Sequence, residues 1–181
     1  MDAFLNLTDV RYSYHSPEGE TPALSDISFS VKEGEFVAIV GPSGCGKSTL
    51  LNLICGLLAP EAGEITLKGN PVLRERERIG YMLQKDHLLE WRTTYKNIAL
   101  GPEIARQSSL DLSKKIDTML TNYQLDGFRN AKPNQLSGGM RQRAALIRTL
   151  MTEPDLLLLD EPFSALDYQT RLSVSDDVWA I

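Results

Sequence analysis

The spacing of apolar residues changes several times along the chain, and each change predicts an element. Phe4 to Val10 reads as a strand, and Ile27, Phe29 and Val31 alternate with Ser28, Ser30 and Lys32 as in a half-buried antiparallel strand. Phe36 to Val40 is an unbroken apolar run, the pattern of a strand buried on both faces in a parallel sheet. Thr49, Leu50, Leu51, Leu53 and Ile54 follow with helical spacing. Pro60-Glu61-Ala62-Gly63 breaks the chain before an alternating strand, Glu64 to Lys68, and Gly69-Asn70-Pro71 marks a turn. The charged run Arg74 to Arg78 predicts a solvated surface, and Ile79 to Leu83 a strand that ends at Gln84. Leu88, Leu89 and Trp91 then fall in a predicted loop, where apolar side chains belong either to the core or to a surface that meets a partner.

From about Thr94 to Met151 the period is helical throughout. Ile98, Leu100, Ile104, Leu110, Leu112, Ile116, Met119, Leu120 and Tyr123 carry it, and Ala144, Ala145, Leu146, Ile147 and Leu150 resume it after a break at Pro133. Asp155 to Leu159 predicts a second fully apolar strand. The expected architecture is one α/β domain over residues 1–181. It has a mixed, mainly parallel central sheet, an N-terminal antiparallel β region and a helical insert over residues 94–151.

Composition sets limits on this picture. The chain has 181 residues, 42% of them hydrophobic, which suffices for an ordinary globular core. Nineteen basic and 24 acidic side chains give a net charge of −5, without a long Lys/Arg block, so a nucleic-acid partner held by bulk electrostatics is not expected. Cys45 and Cys55 form no C-x-x-C pair and read as thiols in a reducing compartment. No apolar run approaches the ~18 residues of a membrane span. Any membrane role is therefore expected to run through a partner.

The candidate chemistry starts where the apolar run Phe36 to Val40 ends. Gly41-Pro42-Ser43-Gly44-Cys45-Gly46-Lys47-Ser48 fits the G-x-x-x-x-G-K-[ST] phosphate loop, and Thr49 continues into the helix. Strand, loop and helix occur in the order this function requires. Backbone N–H groups must converge on phosphate oxygens, and side chains at Gly41, Gly44 or Gly46 would obstruct that approach. Lys47 supplies a charge for the β- and γ-phosphates, the Ser48 hydroxyl is a Mg²⁺ ligand, and the helix offers its N-terminal dipole to the anion.

Further along, Asp160 and Glu161 close the strand Asp155 to Leu159. Acids there stand where α/β folds bind ligands, beyond the carboxyl ends of strands. Asp160 suits the Mg²⁺ shell, and Glu161 suits a general base acting on water. Ser137-Gly138-Gly139 opens the helix through Leu150, with Ser137 placed as an N-cap; the turn is either a plain cap or a second anion site. Tyr12 and Tyr14 lie beside the Pro17-Glu18-Gly19 turn, where a ring either stacks on a purine or packs beneath the turn.

Taken together these residues resemble the ATPase subunits of ATP-binding cassette (ABC) transporters. GPSGCGKST is similar to their Walker A motif, LLLLDEP to Walker B, LSGGMRQR to the signature motif, Gln84 to the Q-loop, and Ser164-Ala165-Leu166-Asp167 to the D-loop, all in the family's order. The resemblance runs from about Leu5 to Ile181. It implies ATP and Mg²⁺ as cofactors, with Lys47, Gln84 and Glu161 catalytic and Ser48, Gln84 and Asp160 at the metal. Gly41 to Thr49 would hold phosphates, Tyr14 would stack on adenine, and Ser137, Gly138 and Gly139 would reach the γ-phosphate across an ATP-bound homodimer. It also implies a membrane permease docked on the loop after Gln84, an extracytoplasmic substrate-binding protein acting indirectly, and a place on the cytoplasmic face of the membrane. The stretch LLEWRTTYKNIALGPE resembles importers of nitrate, sulfonate or taurine-like anions.

One feature of that family lacks a counterpart. A histidine on a strand beyond Walker B is expected to contact the γ-phosphate, whereas His15 and His87 both lie upstream. The expectation is therefore a cassette truncated after its D-loop. Two alternatives follow: a module that binds ATP and dimerises with little hydrolysis, and a soluble cassette ATPase unconnected with transport.

Overall fold

In the computed structural model, which describes residues 3–107 and 110–162, the chain divides into two compact units, Met1–Ile79 and Gly80–Ile181. The first is built on an antiparallel sheet. Strands β1 (Leu5–Ser16) and β2 (Gly19–Val31) form a hairpin closed by the expected turn, with Ser16 paired to Gly19. Strand β3 (Ala62–Leu67) pairs with the other edge of β1, and the two-residue β4 (Asn70–Pro71) turns back on β3, giving the order β2-β1-β3-β4. The predicted alternation holds in β2: Val31 is buried, Ile27 and Phe29 are half-buried, and Ser28 and Ser30 face solvent.

Helix α1 (Lys47–Ile54) contacts β2 and buries Leu50, Leu51, Leu53 and Ile54, and the strands bury Leu5, Leu7, Val10, Ile65 and Leu67. Each such side chain contributes about 1.5–3 kcal/mol when fully removed from water. Gly63 is fixed by a close approach, since a Cβ there would lie 2.4 Å from the carbonyl oxygens of Thr8 and Asp9 and its φ is +81°. Arg74 to Arg78 lies at the surface in short 3₁₀ turns, with Glu75 alone partly covered.

One expected element is not formed. The run Phe36 to Val40 is not a strand, and it is exposed rather than doubly buried: Val40 is 91% and Phe36 55% accessible. An apolar strand is buried on both faces only where it lies inside a sheet whose two faces are covered. The four-stranded sheet of this unit does not include it.

Among its described residues the second unit contains a two-stranded sheet, β5 (Ile79–Met82) with β6 (Leu156–Leu159), and the helices α2 (Thr94–Ile98), α3 (Leu100–Ile104), α4 (Leu110–Asn122) and α5 (Gly138–Leu150). β6 begins one residue later than expected and is only half-buried apart from Leu158. Ile98, Ile116, Leu120, Tyr123, Leu136, Ala144 to Ile147 and Met151 make one core with Met82 and Leu88, as the helical spacing predicts. Ile104 departs from the pattern, being 75% accessible. Leu88 joins the core while Trp91 is 74% exposed, so the apolar loop after Gln84 is divided between the two readings.

Candidate nucleotide-binding site

In the first unit, residues Gly41 to Gly46 form a loop that runs into the first turn of α1. Gly46 has φ +95°, and a Cβ on it would lie 2.8 Å from the Ala23 carbonyl oxygen and 2.9 Å from Leu24. Glycine there lets the loop sit directly on β2. A Cβ on Gly41 would meet the Cys45 sulfur at 2.6 Å, and Gly44 takes φ +81°. The Lys47 ammonium donates to the carbonyls of Gly41 and Pro42, both at 2.9 Å, and so curls back across the loop from the helix start. Ser48 is exposed next to it.

Tyr14 is joined to this loop by its hydroxyl, 3.0 Å from the Thr49 hydroxyl, while its ring stays 46% exposed. Tyr12 meets Tyr14 edge-on at 5.1 Å. The hydroxyl therefore ties Tyr14 to the first turn of α1 while the side chain stays partly exposed. His15 pairs with Glu61 at 2.5 Å, and Glu61 also accepts from the Ser13 backbone, fixing the strand that carries Tyr14.

In the second unit, the Gln84 side-chain amide donates to the Glu161 carboxylate at 2.8 Å. The Asp160 backbone N–H donates to the Met82 carbonyl at 2.9 Å, which aligns the end of β6 with the end of β5. Asp160 is buried, at 7% exposure, and Glu161 is exposed with a left-handed backbone, φ 49°. The two acids therefore differ in setting. Ser137 caps α5, accepting from the Met140 N–H at 3.3 Å, with Gly138 and Gly139 in its first turn. Ser164 to Asp167 lie outside the described residues.

Four residues that sequence reasoning did not single out tie the loop after Gln84 to the helices. Arg141 makes a two-pronged contact to Asp86 (2.9 and 3.2 Å) and a third bond to Glu90 at 3.0 Å. Arg148 donates to the backbone carbonyls of Asp86 and His87 at 2.6 and 2.7 Å. Asn97 is fully buried; its amide donates to the carbonyls of Leu89, Arg92 and Thr93, and its oxygen accepts from the Leu89 N–H. Burial pushes the Asp86 carboxyl up, but the Arg141 hydrogen bond, the Leu88 N–H and the charges of Arg141 and Arg148 outweigh this and hold it below the usual carboxylate range. Burial lowers the Arg148 guanidinium from its ordinary value, against the opposing pull of Asp86. The sequence carried no local signal for these pairings, since Asp86 lies 55 positions from Arg141 and 62 from Arg148.

Comparison with known proteins fits this arrangement. The family described as ABC transporter matches residues 24–164. The chain belongs to the ABC transporter family. It is 44% identical to an uncharacterized ABC transporter ATP-binding protein, YtlC of Bacillus subtilis, over 98% of this chain and 68% of that protein. It is 43% identical to the taurine import ATP-binding protein TauB of Pelagibacter ubique, over 87% of this chain and 60% of that one. With the sulfate/thiosulfate import ATP-binding protein CysA of Pectobacterium atrosepticum it shares 45% identity over 84% of this chain and 48% of that one. The chain thus spans between about half and two thirds of the length of these ABC relatives. Among solved structures, the dimeric ATP-binding cassette MJ0796 in a post-hydrolysis state bound to ADP and Pi matches with a TM-score of 0.89 at 33% identity, over 96% of this chain and 81% of that one. The P-loop α/β class expected from the sequence is the class of these ABC cassettes.

Proposed function

We propose that the chain is an ATP-hydrolysing subunit that powers import of small anions, such as taurine, other sulfonates or nitrate, through a membrane permease. The Gln84–Glu161 hydrogen bond carries this reading. A loop that only held phosphate would not need a carboxylate oriented by a neutral amide at the end of a neighbouring strand. The relatives named for taurine and sulfate import support the anion class.

The roles follow from the chemistry of each group. Gly41 to Thr49 bind the phosphates through backbone N–H groups, the dipole of α1 and the Lys47 ammonium. Occupation of the loop requires Lys47 to exchange its two carbonyl contacts for phosphate oxygens. Tyr14 offers its exposed face to adenine. The oxygen donors Ser48, Asp160 and Gln84 are of the hard type that Mg²⁺ prefers, and the buried Asp160 carboxylate suits a divalent cation. When bound there, Mg²⁺ would neutralise developing phosphate charge.

Glu161, held by Gln84, accepts the proton of a water that attacks the γ-phosphorus; the bond to the β–γ bridging oxygen breaks, leaving ADP and phosphate. Ser137, Gly138 and Gly139 serve the nucleotide of a second copy, so the working state is an ATP-bound homodimer. No described helix is long and apolar enough to cross a membrane. In this reading, the chain docks on the cytoplasmic side of a permease, as expected for importer ATP-binding proteins such as those it resembles.

Phosphate release from Mg-ATP by the 181-residue chain, compared with Glu161→Gln, tests the reading. The expected result is turnover in the unaltered chain and a loss of roughly 10²-fold or more in the variant, with nucleotide affinity kept. Equal rates in both would refute it. The reading as a binding module with little hydrolysis is not favoured, because the relatives are named as import ATP-binding proteins and a similar cassette was solved with ADP and Pi.

A further inference from the structure

Gln84 is followed, two residues later, by a segment gripped from one face of α5. Arg141 and Arg148 lie two turns apart on that helix and so share a face. Arg141 holds the Asp86 carboxylate through Nε and Nη2 and reaches Glu90 with the same Nη2. Arg148 holds the main chain, through the carbonyls of Asp86 and His87. The Asp86 carboxylate also accepts from the Leu88 N–H at 3.0 Å, closing the segment on itself, and His87 takes a left-handed φ of 45°. These bonds are not loose surface pairs: the side chains of Arg141 and Asp86 are 28% and 20% exposed. A planar guanidinium bonded at two points fixes orientation as well as distance.

The consequence runs in both directions along the chain. Ser137, Gly138 and Gly139 begin the helix that carries Arg141, and Arg141 donates its own N–H to the Ser137 carbonyl at 2.9 Å. At the other end, Gln84 donates to Glu161. Hydrogen bonds therefore join the Ser137 cap, Arg141 and Asp86, and the main chain leads from Asp86 back two residues to Gln84, which is bonded to Glu161. We propose that Asp86, Arg141 and Arg148 are positioning residues that hold Gln84 against Glu161 and tie that pairing to the start of α5. The proposal deepens the hydrolytic reading and rests on it for its kinetic test alone. A shift of α5 when a nucleotide meets Ser137 is carried to the amide that orients the base. None of the three touches the reacting atoms.

A double-mutant cycle separates this role from general support of the fold. Arg141→Ala is expected to lower kcat about tenfold while the affinity for Mg-ATP stays within about twofold. In Gln84→Ala the same substitution should cost almost nothing further, because Arg141 acts through Gln84. Arg141→Lys should not restore the rate, since an ammonium cannot make the two-pronged bond. Full multiplication of the two single effects would overturn the proposal. Hydrogen exchange without nucleotide gives a readout independent of turnover. Residues 84–90 should be protected in the unaltered chain and lose protection in Arg141→Ala and in the milder Arg148→Lys, while β1 and β2 keep theirs. Unchanged exchange in that segment would overturn the proposal too. Absence of phosphate release by the unaltered chain would remove the hydrolytic reading and leave the exchange result to decide the clamp.

Discussion

The Gln84 amide donates to the Glu161 carboxylate at 2.8 Å, although the two residues are 77 positions apart. The contact exists because Gln84 follows β5 and Glu161 follows β6, and these strands pair directly, with the Asp160 N–H bonded to the Met82 carbonyl at the same end. A carboxylate that accepts from an amide through one oxygen keeps its other oxygen in a defined direction.

Gln84→Ala should therefore leave Glu161 present but unoriented. The expected outcome is a fall in kcat of roughly 10- to 100-fold with little change in nucleotide affinity, because misplacement by about 1 Å can cost that much. Single-turnover rates at saturating Mg-ATP, beside equilibrium binding, check it. A matching loss of affinity would mean that Gln84 acts mainly in binding.

Gly46→Ala tests the packing of the phosphate loop. Its Cβ would fall 2.8 Å from the Ala23 carbonyl oxygen, at a φ of +95° that alanine rarely adopts. Strain of this kind costs about 1–3 kcal/mol. Urea unfolding should show that loss of stability, and nucleotide affinity should drop with it, because the loop can relieve the clash only by moving away from β2.

Tyr14→Phe and Tyr14→Ala separate the two functions of one side chain. Phenylalanine keeps the ring but gives up the hydrogen bond to Thr49, which is worth about 0.5–1.5 kcal/mol. Alanine removes the stacking face as well. ATP affinity should fall slightly in the first and clearly in the second, whereas inorganic triphosphate, having no base to stack, should bind all three proteins alike in competition assays. An equal loss for triphosphate would assign Tyr14 to the fold rather than to adenine.

The parts of the site legible in the sequence were those encoded by short-range spacing. The phosphate loop, the Ser137 cap and the pair Asp160-Glu161 each need only a few consecutive residues of the right type: Ser137 caps α5, Asp160 and Glu161 follow β6, and the loop runs into α1, although the strand expected before it is not formed. The helical period over residues 94–151 was equally readable, because burying Ile98, Ile116, Leu120 and Ile147 requires it. Phe36 to Val40 was misread because an apolar run reports what a strand would need, not whether neighbours pair with it. Asp86, Arg141, Arg148 and Asn97 were missed for the opposite reason. Their partners lie up to 62 positions away, as for Arg148 and Asp86, and no local pattern marks a loop acid that a distant helix will hold.

Acid should weaken the second unit through Asp86. The folded protein holds this carboxyl below its ordinary range, because bonds and charges from Arg141, Arg148 and the Leu88 N–H exceed the opposing effect of burial. A carboxyl with a lowered folded pKa binds its proton more readily in the unfolded chain, so it adds stability above the ordinary Asp value of about 4. That contribution is lost as pH falls from there through the lowered folded value. Arg141, whose guanidinium is held above its ordinary value chiefly by the Asp86 hydrogen bond, stays charged throughout and is left without its anion. Glu153 is also lowered, first by its hydrogen bond from Lys115, but it is exposed and screened by salt. Urea midpoints measured between pH 6 and roughly pH 2.5 at high salt should therefore fall more steeply for the unaltered chain than for Asp86→Asn, which has no proton to gain. The two curves should converge at the acid end. Parallel curves across that range would show that Asp86 is not ionised in its contact with Arg141.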